Sequence, residues 1–254
     1  MKRNRVLALL EVRNGVRAED LTASLSLFAR NAVSRVRGDD VRYRVSLRVP
    51  RSNVGSPPTT YDGVVDRGLS SGVKLGGISA VLEVSAPEGA SLDDLAGCLD
   101  GVAAAIGDTI DVDQSTAVVG TDVVILDGGG EVQLFYCMPR AAGLSHDDFC
   151  RYWAEEHTKI SVFTPGLAGY RQLHVSLEHS HKSAAAAGLA FSEIDGVALE
   201  WFPTMDDFVG AVGAPAEFGE SAKASEEEFN RIAGVKAVVA TVVDCGRDSC
   251  DTPW

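Results

Sequence analysis

The sequence predicts an α+β protein in which one unit, with the element order β-α-β-β-α-β, occurs twice. Apolar and polar residues alternate in several short stretches, most clearly from Val41 to Val49, and this alternation is typical of half-buried strands. Between these stretches, apolar residues recur at three- and four-residue spacing, which indicates helices. The order begins again after the glycine run Gly128 to Gly130. We therefore expect two successive domains of the same topology.

The first unit is predicted over residues 1–127. Apolar residues at helical spacing indicate its first helix: Leu21, Leu25, Phe28, Ala32 and Val36. The second helix begins at Ser91, which resembles a capping residue. The strands are expected at 5–13, 41–49, 77–85 and within 115–126, and the helices at 18–37 and 91–106. Residues 50–72 are rich in Ser, Gly, Pro and Thr, which is typical of a long loop.

The second unit is predicted over residues 131–246, followed by a polar tail at 247–254. Its helices are expected from Ser145 and from Pro203 to about Gly219, and a loop or short helix is expected at 178–192. The strands are expected at 131–138, 169–177, 194–202 and 235–243. Each unit has the ferredoxin-like order, which leaves one face of its sheet uncovered by helices. Two such sheets in one chain would form an intramolecular dimeric α+β barrel.

Composition narrows the classes of partner. The net charge of −13 argues against nucleic acid and anionic membranes, because phosphate binding needs clustered Lys and Arg. No stretch approaches the roughly 20 apolar residues of a membrane span. The five cysteines are odd in number and irregularly spaced, and no signal peptide is recognised before them. We therefore expect reduced cysteines and a cytoplasmic location.

The helix that begins at Ser145 carries the most informative side chains. Phe149, Trp153, His157 and Ile160 share one helical stripe, which is apolar except for the imidazole of His157. A histidine in a buried aromatic stripe is a candidate acid–base group, because its surroundings tune its pKa. The alternative is a structural histidine held by a hydrogen bond.

The following strand presents a polar face. Tyr170, Gln172 and His174 alternate along it, and such a face either lines a pocket or lies at a solvated edge. Tyr136 and Trp201, on neighbouring strands, are interpreted as pocket walls together with Phe149 and Trp153. His179 and His181 form an H-x-H pair without a third ligand at a clear spacing, so no metal site is predicted.

A set of residues in the second half then matches a known family. The matching residues are Leu144-Ser145, Asp148-Phe149, Tyr152-Trp153, Glu156-His157, Pro165-Gly166-Leu167, Tyr170 and His174, with further similarity at 195–198 and 201–208. Over about residues 131–244 the chain resembles the EthD family, a branch of the dimeric α+β barrel superfamily. The first half shares only the topology. When its first helix is aligned with the helix that begins at Ser145, Arg30 takes the position of His157 and Ser26 takes that of Trp153. The resemblance therefore implies one site per chain.

Relatives of this family include cofactor-free decarboxylases, dehydratases and cyclases that act on polyketide-like aromatics. The resemblance implies a small-molecule enzyme of catabolism or aromatic tailoring, of the lyase or isomerase type, that needs no cofactor. His157 would transfer the proton, and Tyr170 and His174 would orient an oxygen of the substrate. The alternatives are a non-catalytic small-molecule-binding accessory protein and a haem or oxygen-dependent barrel enzyme. Exposed sheet edges are compatible with a homodimer.

Overall fold

Eight long strands form a closed barrel. The computed structural model describes residues 2–49, 77–213 and 216–246, except the side chains of residues 216 and 218, together with the backbone of 53–54, 59–60 and 74–75. The strands are β1 Arg3–Val12, β2 Arg42–Arg48, β3 Asn53–Val54, β4 Thr59–Thr60, β5 Lys74–Leu75, β6 Ala80–Pro87, β7 Ile110–Leu126, β8 Val132–Met138, β9 Gly169–Val175, β10 Gly196–Phe202 and β11 Lys236–Gly246. Around the barrel the order is β2-β6-β1-β7-β9-β10-β8-β11, and β11 pairs with β2 to close it.

Helices cover the outer surface of this barrel. They are α1 Ala18–Val33, α2 Leu92–Cys98, α3 Val102–Ile106, α4 His146–Tyr152, α5 Thr158–Ser161, α6 Leu177–Ala187, α7 Met205–Val212 and α8 Ala216–Phe229. A π-helical turn, Trp153–His157, joins α4 to α5, and a 3₁₀ turn, Ile232–Gly234, precedes β11. No helix in the described part of the chain has both the length and the apolar character needed to cross a membrane.

The two halves have the same topology, which confirms the predicted fold. The sheet order is β7-β1-β6-β2 in the first half and β11-β8-β10-β9 in the second, so the fourth strand lies beside the first in both. The halves join twice in the same way, because the fourth strand of each half pairs antiparallel with the second strand of the other: β7 with β9, and β11 with β2. Closure pairs these strand edges, so the exposed edges from which a homodimer was expected do not exist among the eight described barrel strands.

The apolar core has three parts. One fills the barrel and includes Leu7, Phe135 and Leu199. The other two lie between the sheet and the helices, around Leu25 in the first half and Trp153 in the second. Because successive residues of a strand point to opposite faces, each strand contributes to the barrel interior and to one helix-covered layer.

A layer of charged side chains lies inside the barrel. The guanidinium of Arg5 donates to Asp122 Oδ1 at 2.9 Å and also pairs with Glu83, and all three side chains are almost completely buried. Arg171 Nη1 lies 3.7 Å from Asp122 Oδ2. Burial, together with the charges of Arg5 and Arg171, lowers the pKa of Arg44 to about 9. The barrel interior therefore combines a charged network with the apolar cluster.

Each half sends a connection across to the other half. Helix α6 of the second half packs against β7 and α2 of the first, and the Val119 amide donates to Ser180 Oγ at 2.9 Å. The side chains of Ala184 and Ala187 belong to the apolar layer of the first half. In the opposite direction, β5 from the first half pairs in parallel with β11. The two halves are therefore interlocked through these connections as well as through their strands.

Several elements differ from those predicted. Residues 178–192, expected as a loop or short helix, contain the helix α6, and β7 begins at Ile110. The helix predicted from 91 to 106 breaks at Gly101, whose φ of 79° lies in the left-handed region that favours glycine. The helix predicted to end near Gly219 is two helices, α7 and α8. The tail at 247–254 and most of the 50–72 stretch lie outside the described residues.

The cysteines also differ from the expectation that all are reduced. Cys98, Cys137 and Cys150 are free thiols, and Cys245 is disulfide-bonded. Burial raises the pKa of Cys98 and of Cys137 to about 12, so both remain protonated at neutral pH.

Candidate functional site

The helix identified from the sequence is continuous from His146 to Ser161, but it contains a π turn. Ser145 caps it by accepting a hydrogen bond from the Asp148 amide at 3.1 Å. The π turn accommodates one additional residue, so the buried positions continue at a spacing of four, and Ser161 takes the place that was predicted for Ile160. Single π turns of this kind occur frequently at functional sites.

Aromatic rings hold this helix against the sheet. The Trp153 ring lies 5.6 Å from Phe149 and 6.4 Å from Phe229, and His157 lies 5.2 Å from Phe229. Gly196, at the start of β10, permits this close approach, because a Cβ atom there would lie 2.5 Å from Trp153 Cζ3. A side chain at position 196 would therefore displace the indole.

A cavity of about 150 Å³ lies between this helix, helices α7 and α8, and the outer face of β8, β9 and β10. Its wall is divided about equally between apolar and polar surface. The polar groups are Tyr136, His157, Ser161, Thr164, Tyr170, Glu200, Lys223 and Glu226, and the apolar wall includes Leu134, Met138, Trp153, Phe202 and Phe208. A cavity in which apolar and aromatic side chains meet converging polar groups is typical of small-molecule sites.

Glu200 is the only acid of β10, and it points into this cavity. It shares the helix-facing side of the strand with Ala198 and Phe202, which also line the cavity. Within the described residues its carboxylate forms no hydrogen bond or salt bridge. Burial raises the pKa of Glu200 to about 7, and the nearby charge of Glu226 adds to the rise. The carboxyl group is therefore about half ionised near neutral pH, the condition for a general acid or base.

Glu226 enters the cavity from helix α8. The Tyr136 hydroxyl donates to Glu226 Oε2 at 3.1 Å. Burial first, and then the charge of Glu226, raise the pKa of Tyr136 well above its usual range. Tyr136 thus remains protonated and fixes one oxygen of the second carboxyl group.

The Tyr170 hydroxyl accepts two hydrogen bonds. One comes from Trp153 Nε1 at 2.9 Å and the other from Gln172 Nε2 at 3.3 Å. Burial, followed by the charge of Glu200, raises the pKa of Tyr170 far above its usual range. With its oxygen accepting from two N–H groups, the hydroxyl retains its own proton as a donor. Tyr170 can therefore stabilise negative charge that develops on a bound molecule.

His157 is a neutral imidazole in this structure. Its Nδ1 lies 3.1 Å from Ser225 Oγ, and the ring is almost fully buried. Burial lowers the pKa of His157 to about 4, so the ring carries no charge near pH 7. Desolvation disfavours the charged imidazolium form and is the cause of this shift. At neutral pH, His157 can donate one hydrogen bond and accept another, but little of it is in the protonated, charged form.

Of the residues predicted for the site, some line the cavity and others do not. His157, Tyr170, Trp153 and Tyr136 line it. Phe149 packs beside Trp153 in the apolar layer, and Gln172 links Tyr170 to the Trp153 carbonyl, to which it donates at 3.0 Å. These two therefore support the wall and do not form part of it.

Two predicted residues lie elsewhere. His174 stacks on Trp153 with the ring centres 5.5 Å apart and lines a separate surface depression with His146. Trp201 points into the barrel, where it belongs to the interior cluster, because it alternates with Glu200 along β10. Trp201 and His174 therefore do not line this cavity.

Glu200 and Glu226 are not among the residues predicted from the sequence. A signal for Glu200 was present: GVALEWF is otherwise entirely apolar, as expected for a strand covered on both faces, and a single acid in such a strand must be buried or functional. Glu226 lies in an acidic stretch, EEE, where nothing distinguishes the inward-facing residue. Among the described residues, no group of three or more His, Cys, Asp or Glu is arranged to hold a metal ion.

Comparisons with known proteins agree with this architecture. The EthD domain matches residues 141–231, which contain the helix, Tyr170, Glu200 and Glu226. A solved protein described as anthrone oxidase-like has a TM-score of 0.59 at 8% identity, over 96% of this chain and 92% of that chain. A protein from Fusobacterium nucleatum, described as a candidate monooxygenase, has a TM-score of 0.50 at 10% identity, over 100% and 97%.

At these identities, the likeness to the solved structures concerns the fold alone. No curated protein matches the chain in sequence. The domain match lies within the half that contains the cavity, and the closed barrel includes strands of both halves. Residues 141–231 are therefore an EthD domain, set in a single-chain closed barrel with the dimeric α+β barrel fold.

Proposed function

We propose that this protein is a cofactor-independent enzyme that catalyses proton transfer on a small oxygenated compound bound in the cavity. The observation that carries the proposal is the carboxyl group of Glu200, which lies in an aromatic-lined cavity with its pKa raised to about 7. A base needs a pKa near the operating pH to be both available and effective. Glu200, and not His157, is thus the group we assign to proton transfer.

The size of the cavity limits the substrate. A cavity of about 150 Å³ is large enough for benzene. We therefore infer a compound of about one ring, with an oxygen substituent that reaches Tyr170. Its apolar part would contact Trp153, Phe202 and Phe208, because removing apolar surface from water is favourable in free energy.

The proposed step is removal of a proton from the carbon atom next to a carbonyl group of the substrate. The Glu200 carboxylate takes the proton, and the electron pair of the broken bond delocalises onto the oxygen. Tyr170 donates its O–H to that oxygen, and the neutral imidazole of His157 offers a further hydrogen bond. Glu200 then returns the proton to another carbon, which gives an isomerisation, or to a departing hydroxyl group, which gives a dehydration. Both outcomes belong to the lyase or isomerase type.

Hydrogen exchange tests this step even while the product is unidentified. A thermal-shift screen of one-ring phenols, enones and lactones would identify ligands, and each would be incubated with the protein in D₂O and followed by NMR. We expect deuterium at an acidic carbon position with the wild type and a loss of about 10²–10⁴-fold in rate with Glu200→Gln. Glu193→Gln, an exposed acid outside this cavity, is the matched control and should exchange like the wild type. Exchange that survives Glu200→Gln would exclude the assignment.

The alternatives lead to different results in the same assays. A non-catalytic binding protein would show ligand-induced stabilisation with no exchange and no product. An oxygen-dependent reaction could begin with the same proton removal, since the resulting anion can transfer electrons to O₂. The descriptions of two solved proteins of the same fold as anthrone oxidase-like and as a candidate monooxygenase make this the second candidate. Oxygen consumption measured with an electrode distinguishes it.

A haem-dependent reaction fits this site less well. The cavity, at about 150 Å³, lies below the roughly 300–1,000 Å³ typical of sites for larger ligands and cofactors. A ring of the size of haem does not fit between the helix and the sheet in this arrangement of side chains. The visible spectrum of the purified protein after incubation with haemin provides the test.

A further inference from the structure

A second cluster of reactive side chains lies on helix α4, outside the cavity. His146 and Cys150 are four residues apart and therefore share one side of the helix. His146 Nε2 lies 3.5 Å from Cys150 Sγ, and His146 Nδ1 lies 3.0 Å from Asp195 Oδ1. None of these three residues lines the cavity that contains Glu200. The order of contacts is thiol, imidazole, carboxylate, which is the arrangement of a nucleophile, its base and the group that orients the base.

The carboxylate is fixed from two other directions. The Arg140 amide donates to Asp195 Oδ2 at 2.9 Å, and the guanidinium of Arg140 binds Oδ1. Burial alone would oppose ionisation, but the hydrogen bonds from His146 and Arg140 outweigh it, so the pKa of Asp195 lies below its ordinary value. Asp195 is therefore an ionised, oriented acceptor for the imidazole.

The imidazole is correspondingly basic. The hydrogen bond to Asp195, followed by that to Cys150, raises the pKa of His146 to about 10. The other charged or titratable groups around the cluster are Arg140, which pairs with Asp195, and His174, whose pKa falls to about 4 because of burial and then the charge of His146. An imidazolium beside a thiol favours the thiolate, which is the nucleophilic form of cysteine.

We propose that Cys150 is an activated thiol, held by His146 and Asp195, and that hydroperoxides oxidise it to a sulfenic acid. The Cys150 proton resides on His146, and the sulfur attacks the terminal oxygen of the hydroperoxide. The S–O bond forms as the O–O bond breaks. The departing alkoxide takes the proton from His146, so the products are the cysteine sulfenic acid and an alcohol, or water from hydrogen peroxide. The side chain of Cys150 is half-buried, which leaves it within reach of a small oxidant.

The chain supplies its own reference thiols. Cys98 and Cys137 are free but fully buried, and no imidazole contacts either sulfur among the described residues. The full-length protein would be treated with iodoacetamide between pH 5.5 and 9.5, and alkylation at each cysteine would be measured by peptide mass spectrometry. We expect Cys150 to react at pH 6 at least ten times faster than in the urea-unfolded chain, and Cys98 and Cys137 to remain unmodified in the folded protein.

Substitution of the imidazole tests its role. His146→Gln should lower the rate at Cys150 to that of the unfolded chain at pH 6 and leave it nearly unchanged at pH 9.5, where thiolate forms without assistance. His181→Gln, which removes an exposed histidine outside the cluster, is the matched control and should have no effect. Equal rates in the wild type and His146→Gln at pH 6 would overturn the proposal.

The pH profile of the wild type provides a test that needs no variant. A midpoint of Cys150 alkylation below pH 7 supports an activated thiol, and a midpoint near 8.5, as in a free cysteine, contradicts it. Oxidation itself is tested with hydrogen peroxide followed by dimedone, which labels sulfenic acids. A dimedone adduct at Cys150 that His146→Gln suppresses supports the oxidation step. An unlabelled Cys150 after peroxide treatment overturns it.

Discussion

The indole nitrogen of Trp153 donates a hydrogen bond to the hydroxyl oxygen of Tyr170 over 2.9 Å, and both side chains are buried. This bond connects the helix to the strand that follows it. It also decides the direction in which the Tyr170 proton points, since Gln172 donates to the same oxygen. This one contact thus contributes both to the packing of the helix on the sheet and to the orientation of a polar group in the cavity.

A double-mutant cycle should measure this contact. Trp153→Phe removes the donor, Tyr170→Phe removes the acceptor, and the double variant removes both. Each single substitution leaves a buried polar group with fewer partners, so we expect a loss of about 1–3 kcal/mol in each and a coupling energy of about 1 kcal/mol. Urea unfolding provides the free energies. Strictly additive losses would mean that the hydrogen bond contributes nothing to stability.

Glu200 should give the protein an unusual dependence of stability on pH. Its pKa is about 7 in the folded state and about 4.5 when unfolded, so the unfolded chain binds fewer protons between these values. Stability attributable to Glu200 is therefore lost as the pH rises from about 4.5 to 7. Between pH 5.5 and 8 we expect a loss of about 2 kcal/mol that is absent in Glu200→Gln. Urea unfolding of both proteins at the two pH values tests this, and parallel curves would contradict it.

The sequence predicts some features of this protein better than others. Alternation along Val41–Val49 and the helical spacing of Leu21 and Leu25 report which residues are buried, and burial determines the fold class. The residue spacing does not reveal a π turn, so Ile160 was expected where Ser161 lies. The strand Gly196–Phe202 is apolar on both faces, so periodicity alone cannot decide which face meets the cavity.

The remaining part of the site depends on tertiary packing. Glu226 reaches the cavity only because of how α8 lies across the sheet, and Cys150, His146 and Asp195 come together from a helix and a separate loop. Local sequence specifies none of these distances. The EthD resemblance pointed to the helix that lines the cavity, and only the fold shows that Glu200 and Glu226 face that cavity.

His157 should titrate far below an ordinary histidine. Its folded pKa of about 4 lies below the model-compound value of 6.5, so stability attributable to neutral His157 is present above pH 6.5 and is lost as the pH falls toward 4. NMR of the imidazole C–H groups should show His157 neutral at pH 6, and His146 still protonated at pH 8 in the same sample. Assignment through His157→Gln and His146→Gln identifies the signals. A midpoint near 6.5 for His157 would contradict its burial.

Gly196 should tolerate no side chain. In Gly196→Ala the new Cβ would lie 2.5 Å from Trp153 Cζ3 and 3.0 Å from Phe149 Cε1. Both rings would therefore have to move away from the strand. We expect a loss of about 1–3 kcal/mol, as for other overpacked cores. The matched control is Gly210→Ala in helix α7, where nothing lies within 4 Å of the added atom and a small gain is expected. Thermal unfolding compares them, and equal melting temperatures would be inconsistent with the packing.

The charged layer inside the barrel should be sensitive to removal of one partner. Arg5→Met leaves the carboxylates of Glu83 and Asp122 buried without their principal cation, so we expect a loss of about 3–5 kcal/mol. Adding Glu83→Gln and Asp122→Asn to this variant should recover much of the loss. Arg17→Met removes an exposed ion pair with Asp20 and should not change stability measurably. A comparable loss in both arginine variants would argue against a buried network.

The paired joins of β7 with β9 and β11 with β2 have a further consequence. Were the halves separate chains, the barrel would depend on their concentration, and every substitution would appear twice around the symmetry axis. Because the short link between Leu126 and Val132 joins the halves, each half meets the other at a fixed and high effective concentration. This link also frees the two halves to diverge: Arg30 of the first half is exposed and pairs with Asp244 of the second, while His157 of the second half lines a buried cavity. Covalent fusion thus allows a barrel of approximate twofold form to contain an unsymmetrical cavity, which is the site that we propose for the reaction.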